Sequence, residues 1–250
     1  MTALHEHKLP AGYTMFARYA FPPNELGYCG PADSEVLLRG DNPSEVADNA
    51  KEFDGAWPYL HTIAEAAGIP DPLDVEVVRS YWIGGPLLDR VDATALVQTL
   101  RRAFTGQATG LLGHLARPQG ALAHHSFHVF VVYPWVRFLD REPTIALKVL
   151  QDCRIRWGAV ESVDDEHATV TARPLTFSDG TLGLGEPRLE QVRWSKNGVA
   201  LIGRPTPGEV VAAHWEWACG VLTDDECAAL ADATRTTLNL VNTDREERKE

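Results

Sequence analysis

Apolar residues recur at three-and-four spacing in segments 44–53, 57–67, 72–83 and 92–104. Breakers at Asn42-Pro43, Gly68 to Pro72 and Gly84 to Pro86 separate these segments. That period turns one side of a helix towards a core, so the pattern predicts short helices. Upstream, "FARYAFPPNELGYCGPADSEVLLRG" reads as helix interrupted by Pro22-Pro23, Gly27 and Gly30-Pro31, with an ordered loop around Cys29 and a second helix capped by Asp33 or Ser34. The run "GALAHHSFHVFVVYPWVRFLD" contains Pro134 and suits either a buried helix kinked there or a helix passing into an extended piece, with helix the favoured reading, because proline lacks the amide donor and clashes with the preceding turn. Residues 143–151 predict one more helix.

From Cys153 the period becomes two. Cys153, Ile155 and Trp157 alternate with Arg154 and Arg156, which predicts a strand opening at the cysteine, and "HATVTARPL" alternates again. "TFSDGTLGLGEP" reads as turns or a flexible excursion, "RLEQVRW" as a third strand, "VALIG" as a fourth and "TPGEVVAAHWEWA" as a fifth after a Pro-Gly turn. Thr223-Asp224-Asp225-Glu226 matches a capping box opening a helix over "ECAALADATRTTLNLV", and "TDREERKE" reads as a frayed tail. The fold expected is therefore α+β: a helical domain over 1–150, then over 151–250 a run of short strands and a C-terminal helix. On that boundary, residues 150–245 should fold alone.

Composition narrows the function classes. The chain has 250 residues and is 44% hydrophobic, enough for one large core or two small ones. A net charge of −12 without a Lys/Arg stripe argues against nucleic acid and anionic membrane surfaces as partners. No apolar run is long enough to span a bilayer, and "MTALHEHKLPAG" lacks the apolar core of a secretion signal, so a cytoplasmic location is expected. The four cysteines, at 29, 153, 219 and 227, have no CxxC spacing and are expected as thiols.

Three places could carry chemistry. His124 and His128 are four apart, which on a helix puts both rings on one face, the spacing of a metal pair; a surface or structural role is the alternative. Cys29 lies in "GYCGPAD", between glycines and ahead of a helix whose dipole would favour a thiolate and a bound cofactor, or else it packs a loop beside Tyr28 and Pro31. Cys153 is either a small core hydrophobe or a displayed thiol. Cys219 and Cys227 are read as packing, and the aromatic motifs "FDGAWPYL" and "YWIGGPLL" as helix–helix core.

The C-terminal half resembles the HypC/HupF family of hydrogenase-maturation chaperones. The match rests on "CRIRWGAV", similar to the family's cysteine-led first strand, and on "GEVVAAHWEWACGVLTDDE", similar to its His-containing strand and acidic helix start, and it covers about residues 153–240. The whole chain looks like a protein type associated with hydrogenase gene clusters. The resemblance implies a compact OB-like barrel. It also implies an accessory role in nickel-iron hydrogenase assembly, with Cys153 and His214 holding iron that carries cyanide and carbon monoxide, and the large subunit or other maturation proteins as partners. Here Cys153 lies mid-chain rather than beside a free amine, and Trp157 stands where the family has proline. From the residues themselves, a thiol enzyme with Cys29 as nucleophile and a histidine of 124–128 as base is the competing reading, and a metal-free scaffold a third.

Overall fold

The computed structural model describes residues 2–3, 9–40 and 42–248, so half of the N-terminal segment read for a leader lies outside the described residues. Helices dominate to residue 153, as the apolar spacing predicts: α1 (Ala11–Glu25), α2 (Glu35–Arg39), α3 (Pro43–Lys51), α4 (Trp57–Ala67), α5 (Val75–Trp82) and α6 (Ala93–Ala103). Asn42, Asp74 and Asp92 cap α3, α5 and α6 through their side chains, and Gly40 and Gly68 end α2 and α4 in the left-handed conformation. Before α2, Asp33 Oδ1 rather than Ser34 accepts an amide, that of Glu35, at 3.1 Å.

Two helical expectations change. α1 continues through Pro22-Pro23 to Glu25 instead of breaking there. The run around Pro134 is not one kinked helix but takes the alternative form, a helix passing into an extended residue. It holds a short α7 (His125–Phe127), a π-turn over His128–Val132, an extended Tyr133 and a 3-10 turn over Pro134–Phe138. The Tyr133 amide reaches back five residues to the His128 carbonyl, which widens the turn before proline denies the next donor.

α8 (Pro143–Cys153) carries Cys153 as its last residue, so the cysteine closes a helix rather than opening a strand. The strands follow, after the two-residue β1 (Thr2–Ala3): β2 (Arg156–Val163), β3 (His167–Ala172), β4 (Leu175–Ser178), β5 (Thr181–Leu184), β6 (Arg188–Arg193), β7 (Ser195–Lys196), β8 (Val199–Ala200), β9 (Val210–His214) and β10 (Trp217–Leu222). The excursion at 176–188 is largely the β4–β5 hairpin. "TPGEVVAAHWEWA" supplies two strands, because Trp215 turns the chain at φ 52° between β9 and β10.

Five strands curl into a ring in the order β10-β6-β3-β2-β9. Its neighbours are antiparallel except at β10 and β6, where the ring meets at the single parallel pair Trp217–Arg193. Alternation along β3 buries Ala168, Val170 and Ala172, which pack inside the curl with Val160, Val192, Trp194 and Val211. The molecule is thus mixed α+β, helices first, then strands, then the long α9 (Asp224–Glu247) with its capping box at Thr223 and Glu226. Of the segment read as a frayed tail, residues 243–247 form the last turn of α9, where Arg245 is buried and donates to Gly180 O at 3.3 Å, and residues 249–250 lie outside the described residues.

A second and larger core runs across residue 150, from Phe16 and Tyr59 through Phe130 and Leu150 to Trp217, Leu230 and Val241. The ends of α1, α7, α8 and β9 meet within it, and the candidate site lies at that meeting.

Candidate metal centre

His125, Cys153 and His214 each offer a ligand atom, and these atoms lie within 4.8 Å of one another; among the described residues this is the one such cluster of three. Three elements distant in sequence supply them, and the local sequence explains each placement.

His214 ends β9 and is 1% exposed. Its Nδ1 donates to the Tyr19 carbonyl at 2.7 Å. In a regular helix that carbonyl would accept the amide four residues on, but residue 23 is proline and has no N–H. Pro23 therefore frees the carbonyl that orients His214. With Nδ1 protonated, Nε2 keeps its lone pair, and this atom is buried with no hydrogen-bond partner among the described residues. A buried orphan acceptor costs stability unless something occupies it.

His125 opens α7. Its Nε2 lies 2.9 Å from the Cys153 carbonyl, one of the last carbonyls of α8 and free of intrahelical partners. The preceding carbonyl, Asp152 O, takes the Trp215 amide at 2.8 Å. With Nε2 donating, Nδ1 holds the lone pair and accepts from Tyr81 Oη at 3.0 Å, a hydroxyl that also reaches Gly55 O at 2.6 Å. Both imidazoles thus have one nitrogen on a backbone carbonyl, a contact that orients many metal-bound histidines; the other nitrogen has no partner among the described residues in His214 and is taken by Tyr81 in His125, so ligation by His125 displaces one of its two contacts.

Cys153 completes the cluster and is 4% exposed. Burial raises its thiol well above the ordinary value, with the nearby Cys29 and Asp152 adding to the shift, so Arg154 and Arg156 do not hold it as a thiolate. Those cations are committed elsewhere: Arg154 Nη2 donates to Arg173 O at 2.6 Å and Arg156 pairs with Glu190 at 2.8 Å. Burial drives the histidines the other way, His125 down to about 4 and His214 well below its usual value, both assisted or offset only secondarily by neighbours. At neutral pH the imidazoles are neutral and ready to ligate, while the thiol must give its proton to an incoming ion.

Around the cluster lies an inner chamber of about 20 Å³, room for one ion- or water-sized body. Trp82 walls it, with ring centroids 4.7 Å from His125 and 5.6 Å from His214. Cys29, Gly55, His128 and Tyr133 line both this chamber and an outer cleft of about 380 Å³ that also takes in Asp54 and Gln107. Gly55 is required there: a Cβ at that position would stand 2.9 Å from His128 Nε2.

The structure thus brings four sequence-predicted residues, Cys29, His128, Cys153 and His214, around one chamber, and leaves out His124. The helix begins only at His125, so His124 is its N-cap. Its Nδ1 accepts the Ser126 amide at 3.0 Å and contacts Ser126 Oγ at 2.8 Å, in a buried network that reaches Thr237 of α9. The expectation that 124 and 128 share a helical face fails for that reason. His128 faces Tyr59, 3.5 Å from its hydroxyl, and burial lowers its pKa to about 3. Cys29 lies at the chamber wall, but burial raises its thiol to about 11, opposite to the lowering expected from a helix N-terminus. Cys219 and Cys227 pack as expected.

Sequence reasoning missed His125 as a ligand and Tyr81 and Trp82 as walls. The doubled histidine in "AHHSFH" was the available signal for the first; nothing in "YWIGGPLL" distinguishes a ligand wall from ordinary core.

Fold and site together define an α+β protein with a buried nitrogen–sulfur cluster suited to a transition metal. The chain matches, over residues 8–248, the model of a family of unknown function, DUF6390, and belongs to that family. No curated protein and no solved structure matches it. No helix among the described residues is long and apolar enough to cross a membrane.

Proposed function

We propose that this chain is a metal-binding accessory protein that holds a transition-metal ion on His125, Cys153 and His214. The observation that carries the reading is the convergence of two imidazoles and a thiol, each offering a ligand atom within 4.8 Å of the others, with His214 Nε2 buried and otherwise unpartnered among the described residues. Imidazole and thiolate together suit iron, zinc or cobalt rather than magnesium or calcium. Binding rather than turnover fits a chamber with room for an ion and little else.

The finer reading comes from the HypC/HupF resemblance and the OB-like curl it implies. On that reading the ion is iron, destined for a nickel-iron hydrogenase large subunit, and other maturation proteins are partners. Its support is that Cys153 and His214, the pair the resemblance singles out, lie within ligand distance of each other. Cyanide and carbon monoxide on the iron would need more room than the inner chamber offers, and the outer cleft beyond Cys29 has it. The thiol-enzyme reading has less support, since a thiol raised to about 11 is a poor nucleophile at neutral pH.

The experiment is anaerobic purification from a host expressing a nickel-iron hydrogenase system, followed by metal analysis and infrared spectroscopy. Bound iron with cyanide and carbonyl stretches, lost in Cys153→Ala, is the expected result. Iron without those stretches rejects the cargo and leaves the metal site standing; a Cys153→Ala strain with full hydrogenase activity rejects the role in assembly.

A further inference from the structure

We propose that Cys29 is the fourth ligand of this centre, making it a two-sulfur, two-nitrogen site for a divalent cation of the iron(II) or zinc(II) class, entered from the outer cleft. The inference rests on the metal-binding reading above and adds to it a ligand, a stoichiometry of charge and a route.

Charge balance is the first argument. Two neutral imidazoles and one thiolate leave a divalent ion with one uncompensated positive charge in a buried chamber, an expensive arrangement. Among the described residues the chamber wall offers no carboxylate; its remaining groups that can become anionic are the phenols of Tyr81 and Tyr133 and the thiol of Cys29. A second thiolate brings the net charge to zero. It also completes a four-coordinate sulfur and nitrogen set, the preferred arrangement for zinc and common for iron. The protons balance: the ion enters as M²⁺, each thiol releases one proton to water, and the centre is left neutral.

Position is the second. Cys29 stands in the wall shared by the inner chamber and the outer cleft, so it is the sulfur an arriving ion meets first. Its loop is held in place: Asn24, buried in the last turn of α1, donates from Nδ2 to Cys29 O at 2.8 Å and to Pro31 O at 2.6 Å. Tyr28 stacks on Trp215, ring centroids 4.2 Å apart, which ties the loop to the residue after His214. The same Pro23 that frees Tyr19 O for His214 lends its own carbonyl to the Tyr28 amide at 2.9 Å. One turn of α1 thus orients both His214 and the Cys29 loop.

Cys29 lies outside the 4.8 Å set, so binding must bring its sulfur inward. A Cβ at the neighbouring Gly30 would stand 2.3 Å from the Phe53 ring, so the backbone there is packed and the approach falls to the Cys29 side chain.

The test uses the full chain loaded with one equivalent of zinc(II), with X-ray absorption at the metal edge to count sulfur neighbours. Two sulfurs at about 2.3 Å and two lighter atoms at about 2.0–2.1 Å are expected. Cys29→Ser should lower the count to one and weaken binding roughly tenfold or more, judged by chelator competition. Circular dichroism of that variant checks that the fold is kept. As a measurement on the unmutated chain, alkylation of Cys29 should be slowed by zinc in parallel with that of Cys153. One sulfur in the unmutated protein, or Cys29 alkylation indifferent to zinc, overturns the fourth ligand while leaving the three-residue site intact. A chain that binds no metal overturns both.

Discussion

At the scale of single residues, burial decides the chemistry. Four buried histidines, at 124, 125, 128 and 214, are held neutral by desolvation. A histidine whose folded pKa is depressed binds fewer protons folded than unfolded between the two values, so stability is full above the unfolded pKa of about 6.5 and falls as pH drops towards the folded one. For His125 that window runs from about 6.5 down to about 4, and at about 1.4 kcal/mol per unit the loss is on the order of 3 kcal/mol. The urea midpoint of the metal-free chain should therefore fall steeply between pH 7 and pH 4.5. A flat profile over that range would mean these rings are solvated. Gly55→Ala is a second case. Its methyl group would meet the His128 ring at 2.9 Å, so the variant should lose about 1–3 kcal/mol by overpacking, as read by thermal unfolding. Legibility at this scale was uneven. The pairing of Cys153 with His214 was open to inference from the sequence, but the carbonyls that set their partners' tautomers belong to Tyr19 and to Cys153 itself, and no side-chain pattern announces them.

Among the elements, periodicity located α3, α4, α5 and α6 within three residues, and the capping box fixed the start of α9, because local amides and apolar spacing determine those features. It failed where tertiary contacts overrule local signals. α1 runs through two prolines, and the Tyr19 carbonyl that Pro23 leaves without its helical amide is taken up by His214. Residues 243–247 stay helical because Asn242 clamps the β4–β5 hairpin, its Oδ1 accepting from Leu182 N and its Nδ2 donating to Leu182 O, each at 2.9 Å. Asn242→Ala should cost about 1–3 kcal/mol, since it leaves both Leu182 groups unpaired. Hydrogen exchange over 175–184 should quicken while the strands of the curled sheet keep their protection. Unchanged exchange in the hairpin would show that the clamp is dispensable.

Across the whole molecule, the change from helix to strand near residue 150 is real, yet one apolar core crosses it and the His125–Cys153–His214 cluster draws on both sides. Sequence texture showed the change of period and could not show the shared core, because which buried faces meet is settled only by packing. A fragment of residues 150–250 loses the partners of Trp217, Leu230 and Val241 and should give a broad, non-cooperative thermal transition; a sharp two-state melt would show that the strand half is self-sufficient. The claim on which the rest depends is that His125, Cys153 and His214 act as one ligand set. It is tested most directly by titrating the metal-free chain with cobalt(II) and following its thiolate charge-transfer band. One ion per chain is expected, with the band abolished in Cys153→Ala and binding severely weakened in His125→Ala and His214→Ala, all three variants remaining folded. Unaltered binding in His125→Ala would contradict the account, because no resemblance names that residue and only the geometry of the site requires it.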